Sequence, residues 1–86
     1  MKFTTSRITF VEVQKAKAQV RQALDQGDFT LDFEGVSRVD STVLALSLYA
    51  YRRAKAVGGT LQLKSVPAGF MELVRLYGLE TLLQDK

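Results

Sequence analysis

Asp40, Ser41 and Thr42 are the residues whose types and spacing come closest to chemistry in this sequence. They precede an apolar stretch that reads as a helix. Two hydroxyls and a carboxylate therefore gather where the first backbone N–H groups of that helix lack partners and its dipole is positive. A phosphoryl group on Ser41 would be stabilised there, which makes Ser41 a candidate phosphorylation position. Plain capping of the helix by Asp40 or Ser41 explains the same residue types without a further role. Asp32, Glu34 and Asp40 bring three carboxylates close in sequence. With no histidine and no third ligand in reach, salt bridges to nearby cations are their expected use. The chain contains no histidine and no cysteine, which removes disulfides, thiolate nucleophiles, the commonest zinc ligands and the usual general base at neutral pH. Gly58-Gly59 is followed by neither Gly-Lys-Ser nor Gly-Lys-Thr, so it is not a phosphate-binding P-loop. No enzyme and no cofactor are expected.

The elements that must position Ser41 follow from periodicity and punctuation. Thr9-Phe10-Val11-Glu12 has the spacing of a capping box, with Ile8 and Val13 placed as a hydrophobic staple. Val13, Ala16, Val20, Ala23 and Leu24 then recur at helical spacing until Gly27. Phe29, Leu31 and Phe33 alternate with Thr30, Asp32 and Glu34, the period-two pattern of a strand buried on one face, and Gly35 ends it. Residues 36–39 read as a short connection. The second helix runs from the Asp40-Ser41-Thr42 cap to about Val57, closed by Gly58-Gly59. It carries two apolar stripes: Val43, Leu46, Ala50, Ala54 and Val57 on one, Leu44, Leu48 and Tyr51 on the other. One must serve the sheet, while the other packs under a neighbour or stays open to a partner. Residues 60–66 read as a strand with Leu61 and Leu63 inward, and Pro67 opens a third helix with Phe70, Leu73, Val74 and Tyr77 on one face. Gly78 suits its C′ position, Leu79 the accompanying hydrophobic contact, and Leu82 and Leu83 one last short turn. A short N-terminal strand followed by helix, strand, helix, strand, helix predicts an α/β fold with a largely parallel sheet and right-handed crossovers. The polar residues Thr30, Asp32 and Glu34 place the helices mainly on one side.

At 86 residues, with 47% hydrophobic and 24% charged side chains, the chain is long enough for one core, and we read residues 1–86 as one domain. The net charge of +3 is spread along the chain, its one local cluster being Arg52, Arg53 and Lys55 at a helix end where the dipole favours cations. No motif or stacking aromatics accompany it, so nucleic acid is not the expected partner. The longest mostly apolar stretch, residues 43–51, falls well short of the about 20 residues that cross a bilayer. No segment has the split of an interfacial helix. The expected place is the cytoplasm, without direct membrane insertion.

From Val36-Ser37-Arg38-Val39-Asp40-Ser41, through the apolar helix to Gly58-Gly59-Thr60-Leu61-Gln62-Leu63, the chain resembles the STAS domain family. Ser37-Arg38-Val39-Asp40-Ser41, Leu44-Ala45-Leu46 and Leu73-Val74-Arg75-Leu76-Tyr77-Gly78-Leu79 make it most similar to the MlaB-type branch, over nearly the whole chain from about Ile8. The resemblance implies a STAS-like, mixed but largely parallel sheet of about four strands backed by three to four helices. It also implies a regulatory surface around Asp40-Ser41. MlaB-type proteins are cytoplasmic subunits of a phospholipid-trafficking ABC transporter, and bind its ATPase subunit through this region. Other STAS proteins are anti-sigma factor antagonists phosphorylated by a partner serine kinase at the position of Ser41. The antagonist pattern carries a glycine two residues after that serine, where this chain has Val43, and this favours the transporter reading. The family also places a strand hairpin before the first helix, whereas eight residues precede Thr9 here. The sheet is thus expected to have about four strands or one fewer, from an overlooked upstream start or with an edge left open to pair with a second copy.

The expected docking site comprises Arg38, Asp40, Ser41, Thr42, Leu44, Ala45, Leu48 and Arg52. Its partner is the transporter ATPase, which would hold the protein peripheral to the inner membrane, or alternatively an anti-sigma factor or serine kinase.

Overall fold

Thr9 and Glu12 set the direction in which the chain leaves its first strand. In the computed structural model, which describes residues 1–78, a Glu12 carboxylate oxygen accepts the Thr9 backbone N–H at 3.0 Å, as a capping box requires. The reciprocal bond differs. The Thr9 hydroxyl donates to the same carboxylate at 2.6 Å and accepts the Val11 N–H at 3.3 Å. The box therefore stabilises a turn over residues 9–12, and helix α1 (Val13–Asp25) begins after it. Ala16, Val20, Ala23 and Leu24 are its buried face, and Gly27 ends it at φ +85, a conformation that costs glycine little.

The remaining elements are β1 (Arg7–Ile8), β2 (Thr30–Asp32), β3 (Arg38–Val39), α2 (Thr42–Ala56), β4 (Gln62–Lys64) and α3 (Ala68–Leu76). Every ladder among the described residues is parallel, but they form two pairs, β1 with β3 and β2 with β4, rather than one continuous sheet. β3 lies in the stretch expected to be a plain connection. Lys2 also bridges Asp32 in parallel, so residues 1–8 run beside residues 30–39 in two steps. The offset between partners is 30 at Lys2↔Asp32 and 31 at Arg7↔Arg38. The extra residue is absorbed at the turn closed by the Val36 N–H donating to the Phe33 carbonyl at 2.9 Å, with Gly35 at φ +90. Such an insertion interrupts a ladder as a bulge does. Arg7 turns its own N–H and C=O away from β3, and the Thr5 hydroxyl satisfies both, at 3.2 and 3.0 Å. That edge is not bare at Arg7.

In the β2–β4 ladder Leu31 stands beside Leu63, while Thr30 faces Gln62 and Asp32 faces Lys64. Leu31 is fully buried, and Gln62 and Lys64 are exposed, so one face of this pair is apolar and the other polar, as the alternation predicts. Phe33 lies at the centre of the core. Its ring lies 4.9 Å from that of Phe3 and meets that of Phe70 edge-on at 5.4 Å, tying the N-terminal segment and α3 to β2. Pro67 precedes α3 as its N-cap, in extended backbone, one position earlier than the first-turn placement expected. Phe70 and Val74 are buried and Leu73 is half-buried, but Tyr77 is 57% exposed because it already belongs to the C-cap. Gly78 has φ +68, as a C′ glycine should. The expectations for Leu79, Leu82 and Leu83 lie outside the described residues.

Candidate functional site

Asp40 joins two turns that are 30 residues apart in sequence. One carboxylate oxygen accepts the Thr42 backbone N–H at 2.9 Å and also the Thr42 hydroxyl, while the other accepts the Phe10 backbone N–H at 3.0 Å. The Asp40 N–H itself donates to the Ile8 carbonyl at 3.2 Å. The Thr42 hydroxyl above all, with the Thr42 and Phe10 N–H groups, holds the Asp40 carboxyl below its ordinary pKa of 3.8, because each bond favours the charged form. Glu12 is also held below its ordinary value, first by the Thr9 hydroxyl and then by the Thr9 N–H and Arg7. Both turns are thus fixed by ionised carboxylates.

Asp40 therefore performs the capping that sequence alone divides between Asp40 and Ser41. Ser41 already has helical dihedrals, its side chain makes no capping hydrogen bond, and it is exposed. Its hydroxyl is uncommitted at the positive end of α2. Thr42 is half-buried and spends its hydroxyl on Asp40. Arg38 is exposed on β3 beside Arg7; Arg7 pairs with Glu12 at 2.9 Å.

Tertiary packing separates the apolar candidates. Val43, Leu46, Ala50 and Ala54 are buried, so the first stripe serves the core, except that Val57 at its end is 57% exposed. Leu44 is only 6% exposed and belongs to the core. Its assignment to a partner surface is corrected: the buried face of α2 is wider than the first stripe and extends through fully buried Ser47 to Leu44. Ala45 and Arg52 are exposed and Leu48 is half-buried, and these three line the outer side of α2.

Phe10 and Val11 were missed as surface residues. At 73% and 67% exposure they stand on the turn that Asp40 ties to the start of α2, so bulky apolar surface lies beside Ser41. The capping-box spacing held the clue: the two residues between Thr9 and Glu12 point away from the body of the helix. Among the described residues no three Asp, Glu, His or Cys side chains come together as metal ligands do, and no helix is long and apolar enough to cross a membrane.

Strands and helices in this order, parallel ladders, and a helix start held open beside an exposed serine define a STAS-type regulatory domain. The family model described as "Mlab, STAS domain" matches residues 5–84, and the chain belongs to this family, the MlaB-type branch of the STAS domains. STAS domains are generally non-catalytic, which marks this as a regulatory protein. No curated protein and no solved structure matches the chain.

Proposed function

We propose that this protein is the cytoplasmic regulatory subunit of an MlaFEDB-like ABC transporter for phospholipid trafficking and outer-membrane lipid asymmetry. It docks on the ATPase subunit through the start of α2 and so sits peripheral to the inner membrane. The observation that supports this reading best is the division of labour at residues 40–42. Asp40 holds the turn, which frees Ser41 to meet a partner, next to exposed Phe10 and Val11 and near the cation of Arg38. Exposed apolar side chains with charge at their rim are the usual composition of an interface, and a free hydroxyl among them adds polar specificity. The complex is tested by native-lysate pull-down with the tagged chain. Recovery of an ABC ATPase and permease, reduced by Ser41→Glu and little changed by Ser41→Ala, is the expected result, because only the first adds an unpartnered charge. Equal effects of the two variants count against the electrostatic account.

A second reading, an anti-sigma factor antagonist phosphorylated at Ser41, draws support from the same uncommitted hydroxyl. Against it, Val43 takes the place of the antagonist glycine and is fully buried, so the helix start offers a kinase no bare backbone there. Phosphate on Ser41 and a co-purifying serine kinase, found by mass spectrometry of the same pull-down, would favour this second function.

A further inference from the structure

The charge imbalance of the molecule is gathered on one side of α2. Ala45, Leu48, Tyr49, Arg52, Arg53 and Ala56 line a groove of about 410 Å³. Helix α1 runs alongside this face of α2: Arg53 donates to Asp25 at 3.2 and 2.8 Å and the Lys17 ammonium sits 4.7 Å over the Tyr49 ring. Arg21 is exposed midway between Lys17 and Asp25 on the same flank. Past the other edge of the groove Lys55 lies 5.5 Å over the Tyr51 ring, beside a separate recess. Two cations, Arg52 and Arg53, thus line the groove and three more, Lys17, Arg21 and Lys55, stand on the elements beside it, with one carboxylate that is already paired with Arg53. That leaves this face at +4 on a chain whose whole charge is +3, so the rest of the sequence sums to about neutral. The helix dipole accounts for Arg53 and Lys55 in the last turn of α2. It does not account for Lys17, Arg21 and Arg52, which have no acidic partner among the described residues.

We propose that this groove receives an acidic amphipathic helix of a partner protein. Ala45 and Ala56 at its two ends leave room for a second helix to approach α2 closely, and Leu48 and Tyr49 give its apolar stripe something to bury. The span from Ala45 to Ala56 is about 16 Å, or three turns. Carboxylates on the two flanks of the incoming helix would meet Lys17 and Arg21 on one side and Arg52 and Lys55 on the other. The exposed apolar residues of this face are alanines, while Leu48 and Tyr49 are half-buried, so no bulky apolar side chain stands out to insert into lipid and charge complementarity here favours a protein helix over an anionic membrane. The inference rests on the reading of α2 as the docking face and names the element of the partner that occupies it.

The test uses a labelled peptide of about 18 residues, long enough to be helical, with a Leu/Ala stripe flanked by glutamates, and a second peptide with lysines in place of the glutamates. The glutamate peptide should bind the full chain and the lysine peptide should not. Binding should weaken steeply as salt shortens the Debye length from about 10 Å at 0.1 M towards 3 Å at 1 M. Lys17→Glu with Arg52→Glu should reduce affinity roughly tenfold or more, and Lys17→Glu alone should also weaken it, whereas Lys15→Glu, the same charge change as Lys17→Glu on another flank of α1, should leave it unchanged. Urea titration of each variant separates a binding defect from a folding one. Equal binding of the two peptides overturns the inference. So does binding of anionic phospholipid vesicles, lost in the double variant, when the glutamate peptide does not bind. The double variant is also carried through the lysate pull-down. An ATPase that still co-purifies with it overturns the acidic helix and leaves the docking reading intact. Failure of the wild-type chain to recover any ATPase removes the transporter reading, and the peptide titration then judges the groove by itself.

Discussion

Replacing Asp40 by alanine removes the acceptor for two backbone N–H groups and one hydroxyl at once. Losing an N-terminal cap costs typically about 1 kcal/mol. The bond to the Phe10 N–H has a charged acceptor, for which about 1.5–3 kcal/mol is usual. Phe10 lies at the surface, where water replaces part of the loss, so about 1 kcal/mol is the fair share. Asp40→Ala should therefore destabilise by about 2 kcal/mol. In a domain of this size that lowers the midpoint of thermal unfolding by roughly 8–16 °C. In urea it should shift the midpoint concentration with little change in slope, since the surface exposed on unfolding is nearly the same. Ser41→Ala, one residue away, should stay within about 0.5 kcal/mol of wild type, because its exposed side chain makes no capping hydrogen bond. Asp40→Asn should fall between, as one amide oxygen can still accept the Thr42 N–H. If Ser41→Ala proves as costly as Asp40→Ala, or if Asp40→Ala is neutral, the assignment of the cap to Asp40 is wrong.

Three further outcomes can be checked by the same titrations. Because the folded pKa values of Asp40 and Glu12 lie below their ordinary 3.8 and 4.5, their contribution is fully present above those values and is lost as pH falls through the depressed folded ones. Stability should therefore drop below about pH 4.5, less so in Asp40→Asn. Ser47 is fully buried and its Oγ has no hydrogen-bond partner among the described residues, so Ser47→Ala should be neutral or stabilising by up to about 1 kcal/mol; a larger loss overturns that expectation. A Cβ at Gly59 would fall 2.5 Å from the Phe29 ring, whereas at Gly69 it would sit 3.6 Å from Val39. Gly59→Ala should thus cost about 1–3 kcal/mol by overpacking, and Gly69→Ala, within α3, should stabilise by about 0.5–1 kcal/mol.

The elements legible in the sequence were those decided within four residues of chain. The starts and stops of the helices at Asp40, Gly27 and Gly58 and the alternation through Leu31 and Phe33 rest on hydrogen bonds and side-chain periods that neighbouring residues determine among themselves. The capping box was half right for the same reason: Glu12 reached back to Thr9, but the hydroxyl had a nearer carboxylate to bind. β3 escaped because two residues are too few to show a period. The division of the ladders escaped because the extra residue at Gly35 acquires meaning only beside residues 1–8.

The candidate site was legible in one part and hidden in another. Local chemistry marked Asp40, Ser41 and Thr42 as a helix start, but the choice of Asp40 as the cap depended on the Phe10 N–H, supplied from across the fold. The same contact brings Phe10 and Val11 beside Ser41, and no spacing in the sequence relates those residues. α2 shows this most clearly. Its sequence determines two apolar stripes and a cationic end, while tertiary packing decides that Leu44 is core, that Leu48 stays at the outer side, and that Lys17 and Arg21 of α1 stand on the flank beside Tyr49 and Arg53. A side chain's period follows from its own helix, but what it faces is set by whichever element arrives to bury the neighbouring stripe.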